Sequence, residues 1–146
     1  MKLEIELVPD GCWYSNLRSA LPPALWDKIR KDAYRRAGGR CMVCGKKGRL
    51  EAHERWSYDE TSHVQKLETV VALCHDCHSV VHIARTQMMG DGDRAMEHFM
   101  KVNGCTQSEF HRALGEANTL QQRRNLIDDW QTDISWIKRF SEGRAF

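Results

Sequence analysis

Four cysteines and three histidines between residues 41 and 82 carry the chemistry of this chain. Cys41-Met-Val-Cys44 and Cys74-His-Asp-Cys77 are two C-x-x-C pairs separated by 29 residues. Each pair sets two thiolates on one tight turn, and two such turns complete the tetrahedron of a zinc site. A site of this kind is structural. Its metal-binding free energy is on the order of 10 kcal/mol or more in model peptides, enough to hold a hairpin and a helix in place without a large core. The second pair runs straight into His78 and His82, and His53 lies between the pairs. A plain zinc ribbon needs nothing after its fourth thiolate, so a second, open metal site is expected beside the closed one. Imidazoles from His53, His78 and His82 suit a divalent ion (Mg2+, Mn2+, Ni2+ or Zn2+) and leave positions for water and a phosphate oxygen. Such an ion polarises a scissile phosphate and stabilises the departing oxygen while a nearby base deprotonates the attacking water. The arrangement reads as a single-metal phosphodiesterase.

Placing these residues requires short strands and helices. Residues 50–55 are predicted to form a strand, with a loop beginning at Trp56, and the valine-rich residues 67–73 a second strand leading to Cys74. A helix over about 76–83 puts His78 and His82 on one face through their i, i+4 spacing. Gly45 and Gly48 predict a tight turn whose N–H groups point at the thiolates. Upstream, Leu3, Ile5 and Leu7 alternate with Lys2, Glu4 and Glu6, the period of a half-buried strand, closed by Pro9-Asp10-Gly11. Cys12 to Leu21 brings the aromatic pair Trp13-Tyr14 and a polar loop. Pro22-Pro23 opens a helix that carries Leu25, Trp26, Ile29, Ala33 and Ala37 on one face and ends at Gly38-Gly39. Downstream, a helix with Ala95, Met96, Phe99 and Met100 closes at Asn103-Gly104, and Thr106-x-x-Glu109 has the form of a capping box opening a further helix toward Trp130. Residues 133–136 alternate like residues 2–8, and the two ends are expected to pair. The fold class is therefore α+β, a single domain over 1–146, with a zinc core at about 36–86 and a helical extension at about 90–132.

Net charge is only +2, yet residues 27–49 hold nine cations against two anions. Arg30, Lys31, Arg35, Arg36, Lys46 and Lys47 in that stretch are candidates for phosphate binding, the alternative being a solvated helix face. Hydrophobic content of 41% and charged content of 29% fit a globular protein rather than a disordered one. With no apolar run of membrane-spanning length and no apolar leader segment, a cytoplasmic protein is expected, whose reducing surroundings favour metal thiolates over disulfides. Cys12 and Cys105 read as small buried hydrophobes, His75 as a solvent-facing residue or a donor to sulfur, and His63, His98 and His111 as surface or packing residues. Trp56 and Tyr58 either close the core or touch a substrate.

The order C-x-x-C, then Leu50-Glu-Ala-His53, then Leu73-Cys-x-x-Cys-His-x-x-x-His82 resembles the HNH endonucleases of the ββα-metal fold, over about residues 36–86. The run Glu-Ala-His-Glu-x-Trp-x-Tyr-Asp is similar to an uncharacterised bacterial and phage subgroup of that family. The resemblance implies a zinc knuckle (Cys41, Cys44, Cys74, Cys77) supporting a strand pair and a helix. It also implies a catalytic ion on His78 and His82, a strand-end base, and cleavage of DNA. The family's strand motif ends in a ligand followed by the base, whereas this chain reads His53-Glu54. In strict register His53 is the ligand and Glu54 the base; shifted by one, His53 is the base and the ion keeps the two helix histidines. The asparagine that orients the base in the family falls near Thr69 here and is absent. Two functions follow from this: a metal-dependent endonuclease in which His53, Glu54 and His78 act on DNA, or an HNH-like zinc module without catalysis. The module would bind nucleic acid or a protein partner, the latter through the C-terminal helices, for instance as a phage-encoded inhibitor.

Overall fold

The computed structural model describes residues 1–12 and 16–143, with side chains through Phe140. The chain folds around one long hairpin. Strands β1 (Glu51–Asp59) and β2 (Val64–Leu73) pair antiparallel, and a short β3 (Gln131–Asp133) joins the other edge of β2 in parallel. Four short or medium helices, α1 (Leu17–Ala20), α2 (Pro23–Ala37), α3 (His75–Val81) and α4 (Ile83–Met88), flank it, followed by α5 (Gly92–Asn103) and α6 (Gln107–Asn125). The sheet and helices make a mixed α+β architecture.

Because successive strand residues face opposite ways, β2 is buried on both faces and builds two cores. Val71 and Leu73 join Val80, Val81, Ile83, Phe99 and Phe110 of α3 to α6. Val70, Ala72 and Leu67 join Leu17, Ile29 and Ala33 of α1 and α2. In β1, Glu51 and His53 pair with Leu73 and Val71, so they belong to the α3 side, while Ala52 and Glu54 pair with Ala72 and Val70 and belong to the α2 side. This alternation decides the architecture of the site.

Several elements depart from what the sequence pattern predicts. β1 continues through Trp56 and Tyr58 to Asp59, where a loop is expected, because a bulge after Arg55 re-registers the pairing and keeps both aromatics packed. Trp56 joins the α2-side core, and Tyr58 meets Trp130 edge-on under the Arg124 guanidinium. The N-terminal residues 2–8 form no strand and do not pair with the C-terminal end. Leu3 is 1% exposed as its period predicts, but its N–H and C=O are both bonded by the Asn103 side chain (2.8 and 2.9 Å), and Glu6 N–H donates to the Val81 carbonyl. The alternation holds for buried Leu3 and fades after it, since Ile5, Glu6 and Leu7 are all half-buried; at Leu3 a helix-borne amide takes the hydrogen bonds a neighbouring strand was expected to take. At the other end, β3 stops at Asp133 and Ser135–Gly143 winds into a 3-10 helix that lays Trp136, Ile137 and Phe140 on the α2-side core. The last long helix ends at Asn125, short of Trp130.

The helix carrying His78 and His82 is two helices. α3 ends at Val81, His82 adopts φ −97° and ψ 48°, and α4 starts at Ile83. The buried Thr86 hydroxyl donates to the Ser79 carbonyl at 2.6 Å and approaches that of His82 at 3.1 Å, serving backbone groups at the break. Other expectations match: Pro23 at the start of α2, left-handed Gly38 and Gly104 as C-caps, and a reciprocal Thr106–Glu109 capping box. The Trp13-Tyr14 pair lies outside the described residues. Among the described residues no helix is long and apolar enough to cross a membrane.

Candidate metal centres

Cys41, Cys44, Cys74 and Cys77 come together with their ligand atoms all within 4.8 Å of one another. All six cysteines are free thiols, so no disulfide competes for this group. Two turns build it. The first is closed by Gly45 N–H on the Cys41 carbonyl and Cys41 N–H on the Lys46 carbonyl; the second is the start of α3, where Cys74 is the N-cap. Backbone N–H groups do point at sulfur, but from Val43 to Cys41 and from Cys77 to Cys74, both at 3.4 Å. Gly45 and Gly48, expected in that role, spend their N–H groups on the Cys41 and Gly39 carbonyls, and their left-handed φ of 78° and 138° is what the turn requires of them. Burial opposes ionisation of Cys41, yet N–H groups of Cys74, Cys44 and Val43 outweigh it and bring the thiol down to about 7. Burial pushes Cys74 up to about 11 and Cys77 higher still, so without a cation the cluster cannot hold four negative charges. Four close sulfurs in a buried, amide-lined pocket are the donor set that zinc fits. His98, on α5, places Nε2 3.2 Å from Cys77 Sγ; burial lowers its pKa, leaving a neutral ring whose N–H suits a thiolate. His75 is exposed, as the solvent-facing reading expects, and is bonded to Glu51; the contact to sulfur, its alternative reading, is made by His98.

His53, His78 and His82 form the second group, again with ligand atoms within 4.8 Å. β1 supplies His53, α3 supplies His78, and the break after α3 turns His82 inward. Ring centroids lie 4.8–5.3 Å apart with interplanar angles of 64–75°, three rings set edge-to-face around a common point. Burial lowers the pKa of His78, and burial together with the neighbouring His53 and His78 brings His82 down to about 4. The helix histidines are therefore neutral near pH 7, the form in which imidazole binds a metal. Two carboxylates flank the rings. His78 Nδ1 lies 2.8 Å from Glu51 Oε1, and His53 Nε2 lies 2.8 Å from Glu6 Oε2. Burial works to raise the pKa of Glu51, but His78 and His75 outweigh it and keep the carboxylate ionised.

Glu54 is not brought to this group. It projects to the α2 side, accepts Leu17 N–H at 2.9 Å and Trp56 Nε1–H at 3.3 Å, and has its pKa raised by burial. Thr69 turns its hydroxyl to the Val70 carbonyl and orients no histidine. The α2 cations are largely engaged: Arg30 pairs with Asp27, Arg35 and Arg36 both pair with Asp32, and Arg36 also donates to the Val70 carbonyl at 2.7 Å. That last bond, with Met42 N–H on the Ala72 carbonyl, covers the stretch of β2 edge that β3 leaves open. Lys31, Lys46 and Lys47 are exposed. Sequence reasoning missed Glu6, Glu51 and two exposed arginines on the histidine side. Arg55 follows His53 by two along β1, and Arg85 lies three residues beyond His82, close enough to lower its pKa. The i, i+2 relation of Glu51 to His53 was a usable signal; nothing in sequence pointed to Glu6.

Comparison with protein-family models, with curated proteins and with solved structures finds no match to this chain.

Proposed function

We propose that β1, β2 and α3 are the ββα-metal core of an HNH-type, metal-dependent endonuclease that hydrolyses DNA phosphodiester bonds, with structural zinc on the four cysteines. The observation that carries this reading is the convergence of three imidazoles, from a strand and a broken helix, on the same strand pair and helix that bear a four-cysteine cluster. A divalent ion bound there supplies Lewis-acid polarisation of a phosphate oxygen and acidifies its water. His53, His78 and His82 hold the ion, which favours the register in which His53 is a ligand. Glu51 orients His78 by taking its Nδ1–H and so presents Nε2. Arg55 and Arg85 are the cations best placed to meet the phosphates flanking the scissile bond, with Lys46 and Lys47 farther along the knuckle.

One observation favours a second reading. Glu54, the base in that same register, is committed to Leu17 and Trp56 on the other face of the sheet. A zinc module that binds DNA or a protein without cutting is consistent with a site lacking that base. Plasmid nicking with Mg2+, Mn2+, Ni2+ and Zn2+ tests both: cleavage that disappears in His82→Ala supports the endonuclease, and no cleavage with any ion, from protein whose cysteine zinc is in place, leaves the binding module.

A further inference from the structure

We infer that Glu6 is the positioning residue of His53: its carboxylate takes the Nε2–H of the ring and thereby turns Nδ1 to the ion. The inference rests on the reading of His53, His78 and His82 as an ion site. His53 is 5% exposed, and a buried ring with one nitrogen 2.8 Å from a carboxylate oxygen has one tautomer and one free nitrogen. Glu51 does the same for His78 through the other ring nitrogen, at the same 2.8 Å. On this reading two of the three imidazoles would each give one nitrogen to a carboxylate and keep the other for the ion, an arrangement that fixes ring orientation and makes the ligating nitrogen more basic.

Glu6 lies 47 residues from its histidine, and the fold goes to some length to bring it there. The N-terminal segment is tied at three points: Leu3 to Asn103 at the end of α5, Glu6 N–H to the Val81 carbonyl at the end of α3, and the Val8 carbonyl to the Gln121 side chain of α6. The anchors at Leu3 and Val8 bracket Glu6, and the anchor at Glu6 itself holds its backbone one residue from His82. Helices α5 and α6, which carry little chemistry of their own, thereby gain a part in the site: they hold the strap that delivers the carboxylate.

The test uses the full chain with cysteine zinc in place and Co2+ as probe, read by calorimetry and by its visible absorption. Wild type is expected to bind one Co2+ at the histidines. Glu6→Ala should keep the fold and the cysteine zinc while losing about 10–100-fold in Co2+ affinity. Glu6→Gln, which still accepts the Nε2–H but without charge, should lose less and leave the Co2+ spectrum unchanged. Asn103→Ala, which frees Leu3, should weaken Co2+ in the same direction by a smaller factor. Nitrogen-15 NMR of His53 should report the Nε2–H tautomer in wild type and a tautomer mixture in Glu6→Ala. Unchanged Co2+ affinity in both Glu6 variants overturns the inference, as does an altered spectrum in Glu6→Gln, which would make Glu6 a ligand itself. If Glu6→Ala does not fold, Glu6→Gln decides alone. A wild type that binds no Co2+ at the histidines defeats the ion reading, and the Glu6 inference with it, before any variant is compared.

Discussion

The cysteine cluster and the histidine cluster sit on the same hairpin-and-helix unit and are built in opposite ways. The cysteines are closed in: three of the four are buried, and the sulfurs of Cys41 and Cys74 meet backbone N–H groups two and three residues away. Each half is a local turn that the sequence specifies within a few residues. The histidines are drawn from a strand, a helix and a helix break, and their supporting carboxylates come from 47 and 27 residues away. One cluster is built from local turns; the other depends on contacts made across the whole fold. The difference is the one expected between a structural zinc site and the open ion site proposed above.

The largest effect follows from the closed cluster. If the cluster holds zinc as proposed, Cys77→Ser removes a fully buried thiol of that site, and with it much of a metal-binding free energy on the order of 10 kcal/mol, comparable to the whole stability of a small domain. The variant is expected to lose zinc and cooperative unfolding together, read by metal content and near-UV circular dichroism. His82→Ala is expected to do the reverse. It should keep the cysteine zinc and the fold while weakening ion binding at the histidines by more than the ~100-fold typical of outer-shell changes, with loss of cleavage. If His82→Ala unfolds the protein, the separation into a structural and an open site is wrong.

Protons should distinguish the clusters too. His82 has its pKa depressed from 6.5 to about 4, so its neutral form is the one the fold favours. The stability this contributes is present above the unfolded value and is lost as pH falls from about 6.5 through 4. For the ion, proton competition at His82 sets in only near pH 4, not at 6.5. NMR titration of the His82 ring in protein free of metal at the histidines is expected to give a midpoint well below 6.5; a midpoint at or above 6.5 would contradict the buried placement of this ring.

The same contrast explains what the sequence could and could not reveal. Both C-x-x-C pairs, the α2 boundaries and the Thr106 capping box are written in residues one to four apart, and each is found where the spacing puts it. Strand alternation was legible as burial at Leu3, but who satisfies the backbone is a long-range matter, and Asn103 could not be anticipated. For the site, the three histidines were readable by spacing and motif order. The face of Glu54 was readable in principle, since a residue adjacent to His53 on a regular strand must point away from it. Glu6 was not, because it reaches His53 only through anchors on α3, α5 and α6. The pairing inside the basic stretch was readable locally: Asp27 and Asp32 lie three or four residues from the arginines they pair with, so part of that charge is engaged within α2.

The smallest expected effect asks which side of the sheet meets a polyanion. Arg55 and Arg85 lie toward the histidines, while Arg30 and Arg35 lie on α2, which packs on the opposite face and pairs them with its own aspartates. Removing one cation that neutralises a phosphate reduces the slope of log binding constant against log salt by roughly one. Arg55→Ala and Arg85→Ala are each expected to lower that slope by about one for duplex DNA. Arg30→Ala and Arg35→Ala should leave it unchanged within error, since an arginine already paired within its helix has less to offer a phosphate. Fluorescence anisotropy across a range of salt concentrations measures all four. The opposite ranking would move the polyanion to the α2 face, away from the histidines, and would make the protein's binding of DNA independent of the open site.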